Sequence, residues 1–285
     1  HLPYLHVRMS MRLLYITKDP AVGRVAERAG VDWIFVDMEY RGKSDRQANR
    51  DTVISAHTLE DVLAMRQAIK HSQLMVRINP WGEWSRQEVE DVVQAGADII
   101  MLPFFTTATE VSAFITAVDR RAKTCLLLET MDAIAALDDI LALPGIDFVH
   151  IGLNDLHIER GTTFMFEFLA DGGVDAIAAK LRAAGITFGF GGMARIGGLV
   201  PPAERILAEH FRLGSTGVIL SRSFCHPSQA TGGEAFEAMF KAEVAKVRAE
   251  ESRLVNAGAA FFEQTRLQVI NEVAQVVRQM KEKQA

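Results

Sequence analysis

The sequence predicts an α/β fold, a closed (β/α)8 (TIM) barrel with an additional C-terminal helix. Short apolar runs alternate with amphipathic segments along almost the whole chain, which is typical of repeated strand–helix units. Eight of these runs are too short for typical helices and are apolar on both faces, as parallel strands covered by helices are. An open, doubly wound sheet is the alternative, and the count of eight strands favours closure.

The predicted elements follow in order along the chain. The eight strands cover residues 12–17, 32–38, 74–79, 98–104, 124–130, 147–153, 187–192 and 216–222. Helical patterns between them cover residues 20–30, 58–70, 85–96, 107–121 and 131–143. Several helical segments end in Ala-Gly directly before the next strand, where glycine is the expected helix terminator.

Beyond the eighth strand, residues 233–256 and 259–283 have the pattern of two helices. The second carries an apolar stripe formed by Phe262, Leu267, Ile270, Val273 and Val277. One helix completes the barrel, so we expect the extra helix to pack on a neighbouring subunit. The expected protein is a single barrel domain over residues 1–285, with residues 233–285 as C-terminal helices, in a homo-oligomer such as a trimer or hexamer.

Composition limits the classes of partner. Hydrophobic residues make up 49% of the chain and charged residues 24%, as in an ordinary globular protein. The net charge of −5 argues against a nucleic-acid partner, and no apolar stretch approaches the ~20 residues of a membrane span. Cys125 and Cys225 follow or lie in apolar runs and are expected to be reduced core thiols. A cytoplasmic enzyme with a small-molecule substrate is the expectation.

Two predicted strands end in acids. Glu129 ends the fifth strand and Asp155 follows the sixth, and the carboxyl ends of parallel barrel strands form the catalytic face. Adjacent strands lie about 4.8 Å apart, so two carboxylates there repel each other unless a cation lies between them. A hard divalent ion with oxygen ligands satisfies both and leaves positions open for water and substrate. The alternative, in which Glu129 caps a helix and Asp155 a turn, stays open.

Charged residues also interrupt two other strands. Arg77 lies inside the apolar third strand, where it needs an anionic partner, either a substrate with its developing enolate or a structural carboxylate. Asp37 and Glu39 alternate with apolar residues in the second strand, so both can point the same way. One of them can act as a base or hold a water, and a helix-facing or interface role for Glu39 is equally open.

These residues lie in motifs that resemble a known family. The order "VDWIFVDMEY", "VRINP", "GADIIMLPF", "LLLETMDAI" and "GIDFVHIGLNDL" is similar to the HpcH/HpaI aldolase and citrate lyase family, metal-dependent pyruvate-type aldolases on a TIM barrel. The resemblance spans roughly residues 12–222. It implies that Glu129 and Asp155 bind Mg²⁺, Mn²⁺ or a similar ion such as Co²⁺, and that Arg77 stabilises the enolate oxygen.

The resemblance further implies that backbone amides around Gly152, Leu153 and Asn154 hold the substrate carboxylate. The expected function is that of a carbon–carbon lyase, which cleaves or forms an aldol bond of a 2-oxo acid through a pyruvate-like enolate. Asp37, with water or Tyr40, is expected to handle the proton.

The sequence departs from this family at two positions. Tyr40 replaces a histidine that acts in acid–base chemistry, and Gln94 stands where several members have a supporting carboxylate. An unassisted tyrosine is a poor base at neutral pH. The long segment 41–57, together with "VRIN", favours the branch of the family that acts on CoA thioesters, the citrate lyase beta type. A non-catalytic ligand-binding barrel is a further alternative.

Three other features are less specific. The glycine-rich segment 188–198 is either a tight connection or a phosphate site near Gly191 and Gly192, as in a phosphosugar isomerase or epimerase. His150, inside the sixth strand, is expected to be a core histidine. His157 is a candidate to replace the missing base.

Overall fold

The computed structural model of the protein describes residues 10–42 and 57–285. Its strands are β1 (Arg12–Ile16), β2 (Trp33–Asp37), β3 (Gln73–Arg77), β4 (Ile99–Leu102), β5 (Lys123–Leu128), β6 (Phe148–Ile151), β7 (Phe188–Phe190), β8 (Gly192–Met193) and β9 (Gly217–Leu220). Each of the eight predicted strands is present, and all neighbouring strands pair in parallel.

The seventh predicted strand closes the barrel. It is divided at Gly191, where φ is +59°, into β7 and β8. β7 pairs with β6 on one side, and β8 pairs with β9 on the other. Because β9 also pairs with β1, the sheet returns to its first strand. The predicted (β/α)8 barrel is therefore confirmed.

Helices surround the barrel. They are α1 (Pro20–Ala29), α2 (Leu59–Ala68), α3 (Ser85–Gln94), α4 (Ala108–Val118), α5 (Met131–Ala135), α6 (Leu137–Leu141), α7 (Leu153–Arg160), α8 (Glu167–Ala170), α9 (Gly173–Ala183), α10 (Ala203–Leu213), α11 (Glu234–Val255) and α12 (Ala259–Gln284). The segment predicted as one helix over 131–143 forms two short helices, α5 and α6.

Local capping explains where several helices begin and end. In α1, the Asp19 carboxylate accepts the Ala21 N–H at 2.9 Å and Pro20 occupies the first turn. Gly30 ends the same helix with a φ of +100°, a conformation that glycine adopts without strain. Thr58 and Asp61 form a capping box at the start of α2.

Side-chain alternation separates two packed regions. Outward-facing strand residues pack against the helices, whereas inward-facing residues form a separate cluster in the barrel interior: Leu14, Trp33, Phe35, Met75, Ile99, Met101, Cys125, Leu127 and Phe148. Since side chains alternate along a strand, the next inward positions after Phe35, Met75 and Leu127 are Asp37, Arg77 and Glu129. The polar residues thus lie above an apolar interior, at the carboxyl ends of the strands.

The C-terminal helices pack on the barrel of their own chain. α11 packs on α1, and α12 packs on α8 and α10, where Arg205 Nε lies 2.5 Å from Glu272 Oε1. The buried face of α12 consists of Phe262, Thr265, Val269 and Val273. Leu267, also in the predicted stripe, is 50% exposed and lies on another side of the helix. Contact with a neighbouring subunit stays a prediction.

Two smaller observations complete the fold. Cys125 and Cys225 are both buried and form no disulfide, as expected for core thiols. Within residues 10–42 and 57–285, none of the helices combines the length and the apolar character needed to cross a membrane.

Candidate active site

Asp37 and Arg77 form a buried ion pair at the ends of β2 and β3. The two residues are register partners; Arg77 donates from Nε to Asp37 Oδ1 at 2.8 Å and from Nη2 to Oδ2 at 2.5 Å. Burial by itself lowers the pKa of Arg77, but the charges of Asp37, Glu39 and Glu129 raise that pKa above its ordinary value. Arg77 is therefore a fixed cation. Of the two anionic partners that the sequence left open, the structural carboxylate is present, and it is Asp37.

Glu129 and Asp155 come together as the sequence predicts. Glu129 is 3% exposed, and its carboxyl group lies within hydrogen-bonding reach of the Asp155 carboxyl. Burial, followed by the negative charges of Asp155 and Glu39, raises the pKa of Glu129 well above its ordinary value, and Arg77 offsets only part of this effect. A proton or a cation must neutralise this group of carboxylates.

The backbone around Glu129 is specialised. Phe104, two residues after β4, has a φ of +51°, unusual for a residue with a side chain, and its N–H donates to Glu129 Oε1 at 3.0 Å. A Cβ atom at Gly152 would lie only 2.8 Å from Glu129 Cβ and 3.1 Å from its Oε2. Glycine is therefore required at this position for β6 to end so close to Glu129. Sequence reasoning missed Phe104.

The start of α7 offers backbone amides beside Asp155. Gly152 precedes the helix, and its own N–H already donates to the Leu128 carbonyl at 2.9 Å. The amides of Leu153 and Asn154 are in the first turn, where no carbonyl of the helix can accept from them, and the helix dipole favours an anion there. Binding of a substrate carboxylate by the amides of Leu153 and Asn154 stays a prediction.

The donor set fits part of a metal shell. Within residues 10–42 and 57–285, no group of three or more His, Cys, Asp or Glu side chains is arranged to hold an ion by itself. Two converging carboxylates provide an incomplete set of oxygen ligands, which water and substrate would complete. Such a set suits a hard divalent cation. A cation between the two carboxylates would also offset the burial and the neighbouring negative charges that raise the pKa of Glu129.

A hydrogen-bond network that the sequence analysis missed fixes the loop after β2. Asn79 Oδ1 accepts the N–H groups of Tyr40 (2.9 Å) and Arg41 (3.0 Å). Glu88 holds Asn79 in turn, accepting from its backbone N and its Nδ2 at 2.7 Å each. The supporting carboxylate of this loop is therefore Glu88. Gln94, where the family resemblance placed such a group, donates to Glu90 on the exposed side of α3.

The side chain of Tyr40 points largely to solvent. It is 57% exposed, and the Arg41 guanidinium lies 5.2 Å from the centre of its ring. A part for Tyr40 in the chemistry stays a prediction. Residues 43–56 of the long segment after β2 lie outside the described residues. At the end of that segment, His57 accepts the backbone N–H of Asp37 at Nδ1 (2.7 Å), a contact that the sequence did not indicate.

His150 and His157, the two histidines that the sequence singled out, have structural contacts. His150 Nε2 lies 3.1 Å from the Gly191 carbonyl, and burial, with a smaller effect of Arg77, lowers the pKa of His150 to about 4. His150 is therefore neutral near pH 7, as a core histidine should be. His157 Nδ1 lies 3.2 Å from the carbonyl of Thr162, just beyond the end of α7. A role of His157 as a base stays a prediction.

Comparisons with known proteins agree with this architecture. The sequence profile of the HpcH/HpaI aldolase/citrate lyase family matches residues 12–190. A hydroxypyruvate/pyruvate aldolase of Roseovarius nubinhibens is 29% identical over 174 residues, which cover 50% of this chain and 62% of that enzyme. The chain thus spans less than two thirds of the length of that relative.

Two solved structures share the fold. An HpcH/HpaI aldolase from Desulfitobacterium hafniense DCB-2 is 15% identical, with a TM-score of 0.58 over 88% of this chain and 95% of that chain. An HpcH/HpaI aldolase/citrate lyase family protein from Burkholderia cenocepacia J2315 is 14% identical, with a TM-score of 0.60 over 88% of this chain and 97% of that chain. At these identities the likeness shows the fold alone. Since the family profile covers more than half of the sequence, the chain belongs to the HpcH/HpaI aldolase/citrate lyase family.

Proposed function

We propose that the protein is a divalent-metal-dependent carbon–carbon lyase that cleaves or forms an aldol bond of a 2-oxo acid through a pyruvate-like enolate. The observation that carries the proposal is the convergence of Glu129 and Asp155 beside the buried cation of Arg77, at the carboxyl ends of the strands. Membership of the family and the name of the Roseovarius relative support the same reaction class.

Each group has a part in the proposal. Glu129 and Asp155 hold the ion, which is Mg²⁺, Mn²⁺ or Co²⁺. When bound, such an ion acts as a Lewis acid that polarises the substrate carbonyl. Arg77 offers its guanidinium to the oxygen on which negative charge develops. The amides of Leu153 and Asn154 bind the substrate carboxylate.

Asp37 first orients Arg77, because both of its carboxylate oxygens accept from that guanidinium. Proton transfer through Asp37 therefore uses water and the lone pairs that remain on the carboxylate. Tyr40 is the other group assigned to the proton, and its exposed ring must turn inward to take this part.

Exchange of the methyl protons of pyruvate with solvent deuterium tests the proposal. Purified protein with Mn²⁺ or Mg²⁺ should catalyse the exchange, and a chelator should stop it. Glu129→Gln should abolish exchange, and Arg77→Gln should reduce it by about 10²–10³-fold. Glu90→Gln, which alters a carboxylate at the surface ion pair with Arg121, is the matched control and should exchange normally.

Other outcomes would contradict the proposal. Exchange that is absent, or that persists unchanged without metal, removes its basis. Turnover of acyl-CoA substrates with no action on free 2-oxo acids would indicate the CoA-thioester lyase instead. Binding of pyruvate without any exchange would indicate a ligand-binding barrel.

A further inference from the structure

We propose that the second half of the substrate, the aldehyde that joins or leaves the pyruvate unit, is apolar: an aliphatic chain of several carbons or an aromatic ring. The inference rests on the proposed function and concerns a cavity of about 650 Å³, here called the acceptor cavity. The cavity lies among the segments that follow β6, β8 and β9. Most of its wall is apolar and includes Phe164, Phe166, Met193, Leu199, Val200 and Ile206.

The acceptor cavity begins next to the site described above. Asn154 lines it, and Asn154 is also the first-turn residue of α7 whose amide binds the substrate carboxylate in the proposed function. Asp155 is the following residue. A substrate held at the start of α7 therefore has this cavity as the space into which its remaining part extends.

Size and chemistry of the acceptor cavity favour a large apolar group. Cavities of 300–1,000 Å³ hold ligands of drug size, so an aldehyde of two or three carbons would leave most of this volume unfilled. The polar residues that line the cavity are Asn154, Ser221, Arg222, Ser223 and His226. The glycine-rich segment 188–198 contributes Met193 to the wall, and Leu199 and Val200 follow it directly. An apolar wall of this kind does not suit a phosphorylated substrate.

A second cavity of about 310 Å³ also borders α7. Asp132, Asp155 and Glu159 line it together with Phe104. Its acidic lining would repel an anionic substrate group, and it offers less apolar surface than the acceptor cavity does. The acceptor cavity is therefore the better place for the aldehyde.

The reaction itself is balanced without a further reactant. The methyl carbon of pyruvate loses a proton, its electron pair forms the new bond to the aldehyde carbon, and the former aldehyde oxygen takes up a proton. The chemistry at the bond is the same for every aldehyde. Preference among aldehydes therefore reports on the cavity, since each buried methylene should raise kcat/KM roughly fourfold.

The test measures aldol addition of pyruvate, with Mn²⁺, to glycolaldehyde, succinic semialdehyde, propanal, hexanal and benzaldehyde. We expect kcat/KM to rise from propanal to hexanal by at least 10-fold and to be lowest for the polar and anionic aldehydes. Val200→Asp, which places a charge on the apolar wall at a residue 50% exposed, should lower the ratio of hexanal to glycolaldehyde rates by at least 10-fold. Val255→Asp, at an equally exposed valine at the end of α11, should leave the ratio unchanged.

Binding gives a readout that does not depend on turnover. Benzyl alcohol should give saturation-transfer NMR signals with the metal-free protein, and Val200→Asp should weaken them, with thermal unfolding confirming that this variant is folded. Exchange of pyruvate protons together with a preference for glycolaldehyde or succinic semialdehyde would overturn the acceptor assignment alone. Absence of the exchange would overturn the proposed function and the assignment with it.

Discussion

Glu129 is held between a backbone amide that stabilises its negative charge and two carboxylates that oppose it. The amide is that of Phe104 at 3.0 Å, and the opposing charges are those of Asp155 and Glu39. The side chain is almost fully buried, so solvent screens these interactions little. The residue that the proposed chemistry needs is therefore expected to reduce the stability of the metal-free fold.

The first prediction concerns this conflict. Glu129→Gln keeps the shape of the side chain and removes its charge, so the metal-free protein should become more stable although exchange activity is lost. Each kcal/mol gained should raise Tm by roughly 2–4 °C. Calorimetry in a chelator measures the effect, and added Mn²⁺ should raise the Tm of the natural protein but not of the variant. A lower Tm for Glu129→Gln in chelator would refute this account.

His150 should make stability depend on pH. Its pKa in the folded protein is about 4, below the ordinary 6.5, because burial disfavours the charged imidazolium. Between these pH values the unfolded chain binds a proton at His150 and the folded chain does not. The contribution of His150 to the free energy of unfolding is therefore complete above pH 6.5 and is lost as the pH falls toward 4. The loss amounts to about 3 kcal/mol.

The second prediction compares His150→Leu with the natural protein. Urea unfolding at several pH values between 4 and 7 gives the free energy of unfolding of each. The stability of the natural protein relative to the variant should decrease as the pH falls from 6.5 to 4 and stay constant above 6.5. A difference that does not change with pH would mean that His150 titrates normally.

At the level of strands and helices, the junction between β6 and α7 combines several functions in few residues. Gly152 lets the chain pass close to Glu129, and the next two amides point out of the first turn of α7. Asp155 follows in the same turn. The strand–helix connection thus positions the Asp155 carboxylate and two first-turn backbone amides close together.

The third prediction tests this junction. Gly152→Ala places a Cβ atom 2.8 Å from Glu129 Cβ, so Glu129 must shift, and exchange activity should fall by about 10²-fold. Gly258→Ala is the control. Gly258 directly precedes α12 as Gly152 precedes α7, but a Cβ atom at Gly258 would have no atom within 4 Å. Equal activity of the two variants would show that the close approach at Gly152 is unimportant.

The molecule as a whole relies on α12 to cover α10. Val269 is fully buried on the face of α12 toward the barrel, whereas Leu267, two residues earlier, is half exposed. The sequence grouped Leu267 with the other apolar residues of this helix, because its pattern does not show which of them face the barrel. If the protein forms an oligomer through its C-terminal helices, the contact must involve the exposed sides of α11 and α12.

The fourth prediction separates these surfaces. Val269→Asp buries an unpaired charge and should cost several kcal/mol or prevent folding. Leu267→Asp should change the free energy of unfolding of the folded chain by roughly 0.5 kcal/mol or less. Light scattering of the natural protein and of Leu267→Asp gives the oligomeric state. A smaller mass for the variant would locate a subunit contact on this side of α12, and strong destabilisation of a monomer by Leu267→Asp would contradict the structure.

Local pattern was sufficient for the strands and for the central pair of acids. Apolar runs with both faces buried defined the eight strands, and the position of Glu129 and Asp155 after neighbouring strands placed them together. These predictions succeed because alternation and strand order act over short distances in the chain. The separation of the seventh strand at Gly191 was not predictable in this way, because it depends on how the strand meets two different neighbours.

The amino-acid order by itself thus determined the barrel, the end of it at which the polar residues lie and the meeting of Glu129 with Asp155. Folding in three dimensions decided which groups complete the site. Asp37 reaches Arg77 across 40 residues of chain, Asn79 holds Tyr40 across 39, and Phe104 meets Glu129 across 25. The acceptor cavity likewise unites segments after three different strands. Such contacts depend on the relative placement of distant backbone segments, which periodicity and composition do not encode.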